Sequence, residues 1–161
     1  MNTNLLRTIT PEEIDTYHRD GVLLLQNMFD KDWIELLNKG LDVNIKTPTR
    51  RSRIWHKDTS GHSMFYDHTA WQGIDEYRKF IFNSPAAQIC GRLTGSTAIN
   101  FFFDSVFVRS TGTQFETPWH QDEPYWSVEG YDACSLWMPL VPVKRKSSLS
   151  FVPGSHRLKT V

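Results

Sequence analysis

The chain has 161 residues, of which 39% are hydrophobic and 13% aromatic, enough for one domain with a sizeable core and too apolar for a disordered chain. Eighteen basic residues against eighteen acidic ones leave no net charge, so the balance gives no argument for nucleic acid or a membrane surface as partner. Cys90 and Cys134, far apart and in no CxxC arrangement, exclude a disulfide scaffold and a thiolate zinc site, and with neither a secretory signal nor an apolar run near the ~18 residues that span a bilayer, a cytoplasmic protein is expected.

The first helix is predicted from Thr10, whose hydroxyl can cap free N–H groups, through Pro11, Glu12 and Glu13 to about Asp20, with Gly21 as the stop. Val22 to Leu25 reads as a short buried strand. Asp30 then caps a second helix, in which Trp33, Ile34, Leu37 and Leu41 recur at helical spacing. Lys46 to His68 is expected to be an irregular loop, with Thr47-Pro48, the basic run Arg50, Arg51 and Arg53, Ser60-Gly61 and three histidines. A third helical segment, from about Gly73 to Gly91, is broken by Pro85 and ends near Thr94-Gly95. Asn100 to Arg109, Pro118 to Asp122, Cys134 to Leu140 and Leu149 to Val152 are β-rich runs between turns, the spacing of an antiparallel sandwich or barrel.

Chemistry enters at His120 and Asp122. Positions i and i+2 of a strand share a face, so an imidazole and a carboxylate can converge on one metal while Gln121 points away, forming two corners of a facial triad. The pattern alone is weak, because six His and eleven Asp predict about 0.4 such pairs by chance, and the chain holds three. His18-Arg19-Asp20 falls at a helix end, where i and i+2 diverge, and reads as a solvated helix terminus. A kinase-like catalytic loop is excluded there because Leu25 stands where Asn is required. His56-Lys57-Asp58, with His62 and His68 nearby, reads as a polar loop whose histidines bond locally rather than as a metal cluster. Around His120 the context differs: a β-prone run from Phe101 to Val108 precedes it, Pro118 marks a strand start, and Trp119, Tyr125 and Trp126 supply aromatics that exclude water.

Four ordered motifs carry a resemblance: Thr117-Pro118-Trp119-His120-Gln121-Asp122, Tyr125-Trp126, Ser135-Leu136-Trp137 and Val152-Pro153-Gly154-Ser155-His156. In order and spacing they resemble the phytanoyl-CoA dioxygenase family. The Ile14 to Val22 stretch, ending Arg19-Asp20-Gly21-Val22, is similar to that family's opening helix and strand. The resemblance implies a mainly β fold with N-terminal helices, a double-stranded β-helix or jelly roll in one domain over 1–161. It implies an iron(II)/2-oxoglutarate-dependent hydroxylase of a small organic substrate, using O2 and, optionally, ascorbate. His120 and Asp122 carry over as iron ligands, Trp137 as an aromatic near 2-oxoglutarate, and Phe102 as a second cosubstrate neighbour. Relatives that halogenate have a small residue in place of the carboxylate, so Asp122 favours hydroxylation.

The family also requires a distal histidine ligand and an arginine soon after it, and 39 residues follow Asp122 here. His156 and Arg157 lie in the Pro-Gly-Ser-His-Arg turn that in the family precedes that ligand. The chain is therefore expected to be a piece of a longer protein, its jelly roll incomplete for want of the last strands. The competing readings are an inactive fragment, a triad completed by His156 or by a histidine of another copy, and a metal-free jelly-roll binding module. Arg50, Arg51, Arg53 and Lys57 could hold an anionic substrate group, although such a run is more often solvated surface, as Lys144, Arg145 and Lys146 are expected to be. Trp55, Phe65, Tyr66 and Trp71 could line a pocket, although such aromatics are more often core.

Overall fold

The computed structural model describes residues 1–113, 115–128, 130 and 132–158. In chain order the elements are α1 (Pro11–Asp20), α2 (Lys31–Lys46), β1 (Arg53–Trp55), β2 (Met64–His68), α3 (Asp75–Asn83), α4 (Ala86–Thr94) and β3 (Ser105–Arg109). They form two compact units. The first comprises Met1–Lys31, Ser84–Ile99 and Trp119–Val161, the second Asp32–Asn83 and Asn100–Pro118. Among the described residues no helix is long and apolar enough to cross a membrane.

In the first unit α1 begins as its sequence dictates. Thr10 accepts from the Glu13 N–H, and the Glu13 carboxylate accepts from the Thr10 N–H, a reciprocal cap that satisfies two otherwise orphaned donors. Arg7 clamps the same carboxylate through two bonds of 2.8 Å. The helix ends at Gly21, whose φ of 73° suits glycine and whose N–H donates to Tyr17 O at 2.8 Å. Ile9, Met28, Ile89 and Leu93 form the core, with Leu5, Ile14, Tyr17, Leu23, Leu25 and Phe29 packed around them.

Val22 to Leu25, expected as a strand, has no ladder partner among the described residues. The alternation is present, since Leu23 and Leu25 pack on the core while Leu24 is 79% exposed, but an extended segment becomes a strand only when its backbone groups pair. The same correction applies to Pro118–Asp122, Cys134–Leu140 and Leu149–Val152, which carry no strand in the structure. Their β-prone residues Leu136, Trp137, Leu149, Phe151 and Val152 stay about half exposed. Short 3-10 turns at Glu123–Tyr125, Arg145–Ser147 and Ser155–Arg157 punctuate this stretch.

In the second unit α2 buries Trp33, Leu37, Gly40 and Asn44, a stripe at helical spacing. The Trp33 ring meets Phe80 edge-on at 5.5 Å. Gly40 is there for space, because a Cβ at that position would lie 2.8 Å from the Tyr77 ring. The antiparallel sheet runs β1-β2-β3, with Arg53 opposite Tyr66 and Tyr66 opposite Phe107. Two of its strands arise within the Lys46–His68 stretch expected to be irregular. Arg53-Ile54-Trp55 and Met64 to Tyr66 are β-prone, but the polar, glycine-containing turn between them hides a hairpin whose pairing is set by β3. Asp67 is completely buried and ties the sheet to α2 through Asn44. The expected β run Asn100–Arg109 contracts to Ser105–Arg109. The division of the third helical segment at Pro85 is as predicted, with Pro85 at the start of α4.

Candidate metal centre

His120 and Asp122 come together in the first unit, with His120 Nε2 3.2 Å from Asp122 Oδ1 and side chains 44% and 56% exposed. No ladder holds them. Instead Asp122 opens the Glu123–Tyr125 turn, which Pro124 stiffens, and its carbonyl accepts from the Tyr125 N–H at 3.0 Å. The Tyr125 ring stands edge-on to His120 at 6.5 Å.

Gln121 provides the anchorage between them. Its Nε2 donates to Ser155 O at 2.8 Å and, at 3.4 Å, to Leu158 O, so the middle residue of the motif is turned to the Pro153–Arg157 turn. That turn is itself docked on the end of α1: the Gly154 N–H donates to Asp20 O at 2.8 Å and Arg157 Nη2 to Arg19 O at 2.7 Å. His156 lies against Gly21, where a Cβ would overlap its Nδ1 outright and sit 2.6 Å from its Cγ. Three motifs distant in sequence, Arg19-Asp20-Gly21, His120-Gln121-Asp122 and Gly154-Ser155-His156, thus meet in one network. Gln121→Ala is expected to lower stability by about 1 kcal/mol in urea unfolding. An unchanged midpoint would mean that α1 alone holds the turn.

The other two His-x-Asp pairs have local partners. Asp20 pairs with Arg19 through bonds of 2.9 and 2.8 Å, and that guanidinium holds its carboxyl below the usual range. Asp58 accepts from the His62 N–H at 2.9 Å and pairs with His62 Nδ1 at 2.8 Å, while His56 stacks on Phe115. His68 pairs with the Thr69 hydroxyl at 3.0 Å. Trp137 belongs to the first unit and is 48% exposed. Phe102 belongs to the second, is 51% exposed, and meets Phe103 at 4.9 Å.

One cluster has no signal in the sequence. The Cys90 and Cys134 thiols neighbour each other, and Tyr17 lies beside Cys134. The Cys90 thiol brings the Cys134 thiol down to about 7, and Cys134, with burial, pushes Cys90 up. Burial and the neighbouring thiols push Tyr17 up to about 12. No spacing in the chain links these three residues.

The donor set can be tested against a metal. Ligand bonds of about 2.1 Å at right angles place two donor atoms about 3.0 Å apart, so His120 Nε2 and Asp122 Oδ1 fit two adjacent positions of an octahedral ion with little movement. Among the described residues no group of three or more His, Cys, Asp or Glu side chains could hold a metal. Imidazole with carboxylate suits a first-row ion such as iron(II), and water or a chelating small molecule can take further positions.

Neither a curated protein nor a solved structure matches the chain. The family model Phytanoyl-CoA dioxygenase (PhyH) matches residues 17–161, a span that contains the end of α1, the His120–Asp122 pair and the Gly154-Ser155-His156 turn. The chain belongs to the phytanoyl-CoA dioxygenase family, whose jelly-roll members are in general iron(II)- and 2-oxoglutarate-dependent oxygenases.

Proposed function

We propose that this chain carries two of the iron(II) ligands, His120 and Asp122, of a 2-oxoglutarate-dependent hydroxylase acting on a small organic substrate. The observation that carries the reading is the 3.2 Å approach of His120 Nε2 to Asp122 Oδ1, on a segment whose intervening residue is anchored the other way. Trp137, in the same unit as the pair, is the aromatic assigned to the cosubstrate. Bound iron supplies oxygen activation coupled to oxidative decarboxylation of 2-oxoglutarate, so that one oxygen atom of O2 enters succinate and the other enters the hydroxylated product. His120 and Asp122 would supply an imidazole nitrogen and a carboxylate oxygen to the ion. Gln121, by gripping Ser155 O, orients the backbone from which both ligands emerge. Relatives that halogenate carry a small residue where this chain has Asp122, which supports hydroxylation.

A second reading, a noncatalytic chain, is favoured by one observation: no group of three donors exists among the described residues. Anaerobic titration with iron(II) and then 2-oxoglutarate separates the two. The hydroxylase reading expects the weak visible absorption of the chelated keto acid, lost in His120→Ala and in Asp122→Ala. Iron that washes out on desalting with no such absorption would establish the noncatalytic reading.

A further inference from the structure

The chain has two cysteines, and the first unit brings both to one place although nothing in their spacing joins them. α4 carries Cys90 beside the core residue Ile89, and the Cys90 carbonyl accepts from the Thr94 hydroxyl at 3.0 Å, so its position is fixed by the helix. α1 packs against α4 and carries Tyr17, which rests on the same core as Ile89 and Leu93. Gly154 and Arg157 tie the last turn to the end of α1, and Gln121 grips that turn, so the stretch from Trp119 onward is folded back on the helix pair. This return sets Cys134 beside both the Cys90 thiol and Tyr17. Both cysteines are free and half-buried.

A structural cysteine acts as a small apolar side chain and gains nothing from a second thiol beside it. Two neighbouring thiols that solvent can reach are the arrangement that thiol–disulfide exchange requires. The two are also unlike. The Cys90 thiol holds Cys134 below the usual thiol value, while Cys134 and burial push Cys90 above it. The thiolate is the nucleophile, and a thiol that ionises near ambient pH attacks best, so Cys134 is the attacking residue and Cys90 the resolving one.

We infer that Cys90 and Cys134 form a reversible dithiol site that is oxidised by a low-molecular-weight disulfide such as oxidised glutathione. The Cys134 thiolate attacks one sulfur of the oxidant, whose S–S bond breaks, and the first glutathione leaves as a thiolate. Cys90 then attacks the Cys134 sulfur of the mixed disulfide and expels the second glutathione. The two cysteines give up two electrons and two protons, and both end on the two glutathione thiols released. The new bond ties α4 to the segment that follows the Asp122 turn. The inference stands whether or not His120 and Asp122 hold a metal, since its test reads thiols and mass and not turnover.

The test mixes the reduced full chain with oxidised glutathione in the presence of a metal chelator, quenches with N-ethylmaleimide and follows the products by mass spectrometry. Wild type is expected to lose both thiols together, retain no glutathione, stay monomeric on a nonreducing gel and yield a Cys90–Cys134 linked peptide, and dithiothreitol is expected to restore both thiols. Cys90→Ser is expected to stall with one glutathione on Cys134, and Cys134→Ser to react about tenfold more slowly. In urea only the chain itself holds the two thiols near each other, so closing the bond there is expected to need about tenfold more oxidised glutathione against a fixed level of reduced. Four results overturn the inference: a wild-type chain that stops at the mixed disulfide or does not react, a disulfide between two copies, equal rates in the two serine variants, or native and unfolded chains that close the bond at the same level of oxidant.

Discussion

Asp67→Ala is expected to lower the unfolding free energy by about 3–5 kcal/mol, the largest loss at a single polar side chain here. The carboxylate accepts from Asn44 Nδ2 at 2.8 Å, from the Thr49 N–H at 2.8 Å and from the Thr49 hydroxyl at 2.5 Å. Asn44 is itself completely buried, so truncation leaves its amide donor without water, and each stranded buried donor costs about 1–3 kcal/mol. Asp67→Asn keeps the shape and one acceptor, and its loss is expected to be smaller. Burial by itself raises the Asp67 pKa, but the bonds from Thr49 and Asn44 together outweigh it, and the net shift is downward.

The pH dependence follows from that direction. Between the folded and unfolded values the unfolded chain binds more protons, so the Asp67 contribution is fully present above the unfolded carboxyl value of about 3.9 and is lost as pH falls through the folded one. Asp104, in the same unit, is pushed up by burial and has the opposite sign: its cost grows as pH rises past about 3.9 toward the folded value. Urea unfolding followed by circular dichroism at pH 7 and again below pH 4 checks both points. The gap between wild type and Asp67→Ala is expected to narrow in acid. A gap below about 1 kcal/mol at pH 7 would mean that the network carries little stability.

Gly21→Ala is expected to cost about 3 kcal/mol, the sum of two physical effects. At φ 73° a Cβ costs about 1–2 kcal/mol, and forcing that Cβ into the His156 ring costs about 1–3 more. The two separate in a double-mutant cycle. In Gly21→Ala/His156→Ala the overlap is gone and only the backbone penalty and the lost ring contacts remain, so the double variant is expected to be more stable than Gly21→Ala alone. Additive losses in thermal and urea unfolding would show that the His156 ring does not rest on Gly21. Recovery would show that the His156 ring packs against Gly21 at the end of α1.

The sequence by itself determined whatever is settled within a turn or two of chain. Thr10, Pro11, Glu13 and Gly21 bound α1 because caps act over three or four residues, and Pro85 divides α3 from α4 because a missing N–H acts where it stands. Trp33 and Leu37 of the buried stripe of α2 were legible for the same reason, while Gly40 and Asn44 were not, and the family was legible through motifs kept in order. Gln121 bonds Ser155 O while His120 and Asp122 approach each other, even though the strand that predicted this division did not form.

Only the tertiary structure decided which extended segments pair. β1 and β2 lie in a stretch whose composition reads as loop, and they exist because β3 completes their ladder, whereas more β-prone runs at Cys134–Leu140 and Leu149–Val152 find no partner among the described residues. The docking of the Gly154–His156 turn on Gly21, the burial of Asp67 against Asn44 and the Cys90–Cys134 contact were equally invisible. Each joins residues remote in the chain, and a contact of that kind forms when burial of both partners outweighs the entropy of closing the loop between them, a balance that no local pattern of residues records.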